Sequence, residues 1–320
     1  MTVSTAQRSP SAAAPRPEGS RSPGGDRRRR NRYDGLTPWF FVAPTLAGVG
    51  LFYVWPTIQS FYFSFTEWGA FGGTTWVGIA NYTRLFADPE LLVALGNTVL
   101  YAVVALAGIP LAVWLASLLN RPGLRFRSLF RVLFFLPVVT VPAAVSVVWK
   151  LLYNGDFGMI NYALSAVGID GPYWLQTPVV AVIAVGIVGV WMSLGFNMII
   201  LGAGLQAIPD DLYEAAELDG ASRFQQLIHV TIPLLTPSIF FLTVMSAIGA
   251  FKVFDLIFLM IGNTSPVIKE TQTLVFFFYS KGFMVNDKGY AAAIGILLLL
   301  IIALVTFVQF RLQRKWVHYA

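Results

Sequence analysis

No charged residue occurs between Asp34 and Glu67, nor anywhere from Leu91 to Asn120. Roughly 20 apolar residues already suffice for a helix to cross the hydrocarbon core of a bilayer. Inside lipid a segment must satisfy its own backbone N–H and C=O groups, so runs of this length are predicted to be helices. The rest of the composition agrees. Of 320 residues, 56% are hydrophobic and only 12% are charged, against roughly 25% charged in an ordinary soluble domain. The mean hydropathy is +0.67.

The charges that remain divide the chain. Residues 1–33 are rich in Ser, Ala, Pro, Gly and Arg; such a segment cannot bury a core and is expected to be disordered. Arg27, Arg28, Arg29, Arg30 and Arg32 are expected to hold it in the cytoplasm. A first span over 34–66 follows, with Trp39 and Trp55 near its ends, then an outer loop over 67–93. The first span is too long for a cleaved leader and is followed by more spans. Further spans are predicted at about 94–119, 129–150, 178–206, 237–261 and 290–310. Arg121, Arg125, Arg127 and Arg131 mark a return to the cytoplasm, Pro137 and Pro142 should kink the third span, and residues 312–320 form a second cytoplasmic tail. The expectation is an all-α integral membrane protein of six transmembrane helices with both termini inside. Two features sit uneasily with a charge count. Lys269, Lys281 and Lys288 fall in an outer loop, and the inner stretch 207–236 has one basic residue, Arg223, beside five acids. Acidic residues contribute little to orientation, and the bias at the first helix dominates.

What is missing excludes whole classes of function. With 0 Cys and only two histidines, His229 and His318, no thiolate chemistry and no metal site is expected. No phosphate-binding glycine loop, no cofactor motif and no nucleophile–base pair is present. Glu214 and Glu217 read as a solvated helix face. A basic tail beside apolar spans points to the lipid bilayer as its partner and not to nucleic acid.

The most informative polar stretch is the loop over 207–236. Pro209 suits a first helical position, Asp210 and Asp211 complement the helix dipole, and Gly220 suits a left-handed stop. Ser222 and Gln225 are spaced as a capping box for a second helix, which Pro233 should limit. The product is a helix–glycine–helix knuckle between two spans.

Polar groups within the spans carry two readings each. Lys252 and Asp255, three residues apart, either line a translocation path or form a structural ion pair at the outer mouth. Ser193, Asn197 and Ser246, with Trp191 and Phe196 near the first two, suit a sugar, which offers hydroxyls and apolar C–H faces. They equally suit hydrogen bonding between helices.

The knuckle also carries a resemblance. Glu214-Ala215-Ala216, Gly220 and Val230-Thr231-Ile232-Pro233 resemble the EAA motif, EAA-x3-G-x9-I-x-L-P, of permease subunits in binding-protein-dependent ABC importers, with Val230 and Ile232 as conservative departures. The stretches Trp76–Thr98, Ala203–Ser222, the FKVFD run ending at Asp255, and Gly289-Tyr290-Ala291-Ala292 are similar to the carbohydrate-uptake class of maltose and glycerol-3-phosphate type. The resemblance implies the type I ABC importer permease fold and a non-catalytic subunit. It implies a second homologous permease, a cytoplasmic ABC ATPase dimer that binds the ATP, an extracytoplasmic solute-binding protein and a sugar substrate. Glu214, Ala215, Ala216, Asp219, Gly220 and Pro233 would couple to the ATPase. The positions matching the family's sugar contacts are Ser193, Phe196 and Ser246, with Asn197 adjacent. Glycerol-3-phosphate is the rival substrate, and an ion-coupled carrier the rival mechanism.

Overall fold

The computed structural model describes residues 37–68, 72–120 and 123–317. The basic tail over residues 1–33, Arg121 and His318 lie outside the described residues. Among the described residues, five helices are long and apolar enough to cross a membrane, and a bent helix pair makes a sixth span if counted as one. The chain divides into two compact units at Val54 and Trp55.

The first unit contains α1 (Thr37–Val49) and a π-turn over Gly50–Val54. Phe40, Phe41 and Phe52 are all exposed, the pattern of a helix whose solvent is lipid.

The second unit starts with α2 (Trp55–Phe63) and a hairpin of β1 (Thr66–Trp68) and β2 (Thr74–Trp76), paired antiparallel with Thr66 opposite Trp76. This small sheet was not anticipated in the outer loop. Helix α3 (Ala80–Ala87) anchors it, because the Asn81 amide donates to the Ser64 and Thr66 carbonyls at 3.0 and 2.9 Å. Helix α4 (Pro89–Leu119) begins at once, with Asp88 accepting from the Glu90 amide and Pro89 in the first turn.

The third span is broken where a kink was expected. Helices α5 (Arg127–Val139) and α6 (Pro142–Leu152) meet at 104°. Thr140 and Val141 between them are extended, since Pro142 has no N–H to give and disfavours helical geometry at Val141. A short α7 (Met159–Ser165) precedes α8 (Pro178–Gln206). The knuckle follows as α9 (Asp210–Leu218), α10 (Arg223–Gln226) and a π-turn over Leu227–Thr231, leading into α11 (Ile232–Phe251).

The fifth span also differs from its expected range of 237–261. The helix runs from Arg223 to Phe251 and stops there. Phe254 leaves helical geometry at φ −136°, ψ −57°, and a separate α12 (Asp255–Met260) follows. The outer end is completed by α13 (Ile268–Thr271), α14 (Leu274–Tyr279) and a π-turn over Ser280–Met284. The last span, α15 (Lys288–Trp316), starts slightly before the predicted 290.

Packing between spans depends on small residues, as it must where lipid is as apolar as the helices themselves. A Cβ on Gly186 would stand 2.8 Å from Val104 Cγ1, and one on Gly189 would stand 2.2 Å from the Tyr101 hydroxyl. These two glycines let α8 lie directly on α4. A Cβ on Gly204 would meet Ser238 Oγ at 2.7 Å, which brings α8 and α11 together near the knuckle.

The far end is clamped by polar contacts. Asn97 donates to the Glu270 and Gln272 carbonyls at 2.8 and 3.0 Å, and Thr98 Oγ1 accepts from the Leu274 amide at 2.9 Å. A Cβ on Gly289 would fall 1.9 Å from the Thr66 carbonyl oxygen, so only glycine lets the hairpin seat on α15. The lysines that disturbed the charge count find partners here. Lys281 pairs with Glu90 at 2.9 Å and Asp88 at 3.9 Å, Lys269 pairs with Glu90 at 3.5 Å, and Lys288 lies 4.5 Å over the Trp68 ring. Asp88 also accepts from the Tyr290 hydroxyl at 2.7 Å, and Arg84 pairs with Asp287 at 2.6 Å.

Lys281 is largely buried between two carboxylates. Lys281→Met should therefore lower stability by about 1–3 kcal/mol, since Glu90 and Asp88 each lose one of their charged partners. Thermal unfolding in detergent measures this. Adding Glu90→Gln should recover part of the loss; strictly additive effects would show that the pair is uncoupled.

Candidate functional site

Each turn of the knuckle has a local cause. Pro209 is the residue before α9 and not its first, with extended φ −62°, ψ 135°, and Asp210 and Asp211 occupy the first turn. At the other end Gly220 takes φ +77°. Its amide donates to the Glu217 carbonyl at 3.0 Å, and the Ala221 amide donates to the Ala216 carbonyl at 2.9 Å. This is a Schellman stop, which satisfies carbonyls that the helix end would leave bare. Ser222 and Gln225 then form the expected capping box.

The second arm of the knuckle is not a short helix. It continues into α11 because the π-turn absorbs Pro233. The Ile232 amide bonds five residues back, to the Leu227 carbonyl, so the helix adjusts its register where proline supplies no donor. The two arms are tied together as well. The Tyr213 hydroxyl of α9 lies 3.1 Å from Thr231 Oγ1, which also donates to the Gln226 carbonyl at 3.3 Å. Ile208, Leu235 and Tyr213 belong to the apolar cluster that includes Leu201 and Leu205 of α8. Tyr213 and Thr231 were not singled out from the sequence. Their 18-residue separation carries no local signal.

The surface that remains free has a definite character. Glu214, Ala215, Asp219 and Gly220 are exposed, and Ala216 is half-buried. Leu218 is 90% exposed and Phe224 is 70% exposed. The polar knuckle thus presents two large apolar side chains, Leu218 at the end of α9 and Phe224 on α10. Two small residues, Ala215 and Ala216, stand beside Glu214 and permit close approach. Between the arms is a concavity of about 250 Å³ lined by Ala216, Asp219, Gly220, Gln226 and His229.

The polar groups of the spans are placed less favourably for a shared site. Ser193 donates to the Val190 carbonyl of its own helix at 2.9 Å. Asn197 is 4% exposed, Phe196 is exposed, and Ser246 is half-buried on α11. No hydrogen bond joins Ser193, Asn197 and Ser246 to one another. Trp191 stands edge-on to Trp149 at 5.6 Å, in a chain of rings continuing through Tyr153 to Trp174. Lys252 and Asp255 lie at the break after α11, at the end of that helix away from the knuckle, and both are exposed. The ion pair considered for them is not formed. The break turns the three-residue spacing away from the helical geometry that pairing needs.

Several apolar spans, a broken third span and an exposed knuckle between two spans define a multi-span membrane protein. The family follows from comparison. Residues 108–318 match the model of the binding-protein-dependent transport system inner membrane component, and the chain belongs to that family. It is 35% identical over 289 residues to the lactose transport system permease protein LacF of Rhizobium radiobacter, covering 89% of this chain and 96% of that one. It is 32% identical over 278 residues to the arabinooligosaccharides transport system permease protein AraP of Bacillus subtilis, covering 86% and 88%. It is 33% identical over 287 residues to the sn-glycerol-3-phosphate transport system permease protein UgpA of Agrobacterium fabrum, covering 89% and 97%. A crystal structure of a bacterial ABC transporter that imports the acidic polysaccharide alginate has the same fold, with a TM-score of 0.75 at 23% identity over 88% of this chain and 96% of that one.

The left-handed Gly220 gives a direct test of the knuckle's geometry. Gly220→Val should strain the turn by about 1–2 kcal/mol or more, and limited proteolysis should then cut within residues 207–231 faster. Gly220→Asn should cost less, because asparagine tolerates this region. Equal protection of the valine variant would contradict the assignment.

Proposed function

We propose that the chain is the membrane-spanning permease subunit of an ATP-driven sugar uptake system, with its knuckle serving as the cytoplasmic coupling element. The observation that carries this reading is the surface of α9, where Glu214, Ala215 and the 90% exposed Leu218 stand free between two spans of a family member. An exposed leucine beside a carboxylate and small residues fits a groove on a partner that offers apolar depth and a basic residue. In this reading the partner is a cytoplasmic ATPase dimer, which binds and hydrolyses the ATP. The chain itself performs no catalysis. Both termini and the knuckle face the cytoplasm, and the membrane is the plasma membrane of a prokaryote.

A second homologous permease completes the path, and an extracytoplasmic solute-binding protein delivers the substrate. The alginate importer of the same fold was also crystallised in complex with an alginate pentasaccharide-bound periplasmic protein. A neutral sugar or oligosaccharide is supported by the relatives named for lactose and arabinooligosaccharides. It is also supported by the neutral character of Ser193, Asn197 and Ser246. Relatives named for sn-glycerol-3-phosphate favour a second reading. For that substrate Lys252 and Lys150, both exposed and without an acidic partner among the described residues, are cations that could meet the phosphate near the outer end of the spans.

Glu214→Lys should leave the protein in the membrane and reduce uptake of labelled sugar to background in cells carrying the whole system. Leu218→Asp should weaken co-purification of the ATPase by about tenfold or more, the loss expected of a buried apolar anchor at an interface. Normal uptake by the Glu214→Lys variant would sink the coupling role.

A further inference from the structure

A cleft of about 480 Å³ opens between α5 and α8 at the end of the spans that carries the knuckle. Its walls are apolar: Leu119 of α4, Val132 and Phe135 of α5, and Met198 and Ile199 of α8. Gly202 and Ala203 form part of the floor, and nothing lies within 4 Å of the place a Gly202 Cβ would occupy. Among the described residues its polar lining is confined to Asn120, Arg131 and Gln206, and none of its lining residues is acidic. Arg127 donates to Asn120 Oδ1 at 2.8 Å, and its buried Nε has no acceptor among the described residues. Arg125 stands two residues away and is exposed. The first turn of α5 has no acidic residue and no side-chain cap, so these cations sit where the helix dipole favours an anion.

An apolar cleft between transmembrane helices, with Arg131 in its lining and Arg125 and Arg127 at the start of the same helix, matches one ligand chemistry, a hydrocarbon chain bearing a phosphate. A neutral sugar leaves the arginines unanswered, and a second apolar helix leaves them desolvated. We infer that the cleft is a binding site for an anionic phospholipid of the leaflet level with the knuckle. One acyl chain lies between α5 and α8, and the phosphate meets Arg131. The site also gives the knuckle a lipid contact, because Gln206 at the cleft's rim ends α8 just before the turn into α9.

Native mass spectrometry of the full chain, incubated in detergent with phosphatidylglycerol or phosphatidylcholine of identical chains, tests the proposal. Phosphatidylglycerol should be retained about fivefold over phosphatidylcholine, the ratio expected of one basic contact with an anionic lipid. Arg131→Gln should abolish that preference and Arg131→Lys should restore most of it. Gly202→Leu, which places a side chain in the cleft and improves helix propensity, should lower retention of both lipids with the arginines intact. Millimolar inorganic phosphate should not displace the lipid; displacement would mean a free-anion site and overturn the proposal. Equal retention of both lipids by the parent chain would overturn it, as would an Arg131→Gln variant that keeps the preference. So would a Gly202→Leu variant that keeps its lipid but loses a co-purifying permease partner, the mark of a protein interface. Should Gly202→Leu fail to fold, the exposed Arg131 variants decide the matter alone.

Discussion

A helix in lipid has no water to repair a missing backbone hydrogen bond, and Pro233 removes a donor at the point where the fifth span leaves the knuckle. The π-turn over Leu227–Thr231 resolves this by passing the bond from Ile232 back to Leu227. Helical continuity from Arg223 to Phe251 survives as a result. A hinge at Pro233 would have let the knuckle swing freely. Helix α9 is joined to α11 through Tyr213 and Thr231 and to α8 through the cluster around Leu205 and Leu235. The exposed surface of the loop is therefore backed by two spans.

Rigidity at that end is matched by a clamp at the other. Asn81, Asn97, Thr98 and Gly289 each hold loop backbone against a helix, and Glu90 and Asp88 neutralise Lys281. Between the two ends, α4 and α8 touch through glycines. Close van der Waals contact of this kind resists shear but leaves no hydrogen bonds to break when helices tilt as bodies. The broken third span and the break at Lys252–Phe254 are the places where bending is already built in.

Much of this was legible from the sequence because lipid enforces simple rules. Uncharged runs of sufficient length gave the spans, and Pro209, Gly220, Ser222 and Gln225 gave the knuckle through local capping chemistry. The errors arose where distant groups decide. Phe251 ends the fifth span ten residues early, although apart from Lys252 and Asp255 the sequence stays apolar through Ile261, because α12 turns aside to pack on α6. Proline at 142 was read as a kink, and the 104° break needed the extended pair Thr140 and Val141 as well. Lys269 and Lys281 of the outer loop sit where their acids, Glu90 and Asp88, lie almost two hundred residues earlier in the chain, and Lys288 sits over the Trp68 ring. The pairing considered for Lys252 and Asp255 failed for the same reason in reverse, since it presumed a helix that the fold interrupts. For the cleft at Arg131 the sequence offered the arginines, and only the packing of α5 against α8 revealed the cavity beside them.

The orientation of the knuckle bears on the coupling account more than any other single fact. The chain has 0 Cys, so a cysteine placed at Leu218 reports alone. A membrane-impermeant maleimide should label it in inside-out vesicles from cells lacking the ATPase and leave it untouched in intact cells. Labelling from the outer face of intact cells would put the knuckle beyond reach of any cytoplasmic motor and contradict the account.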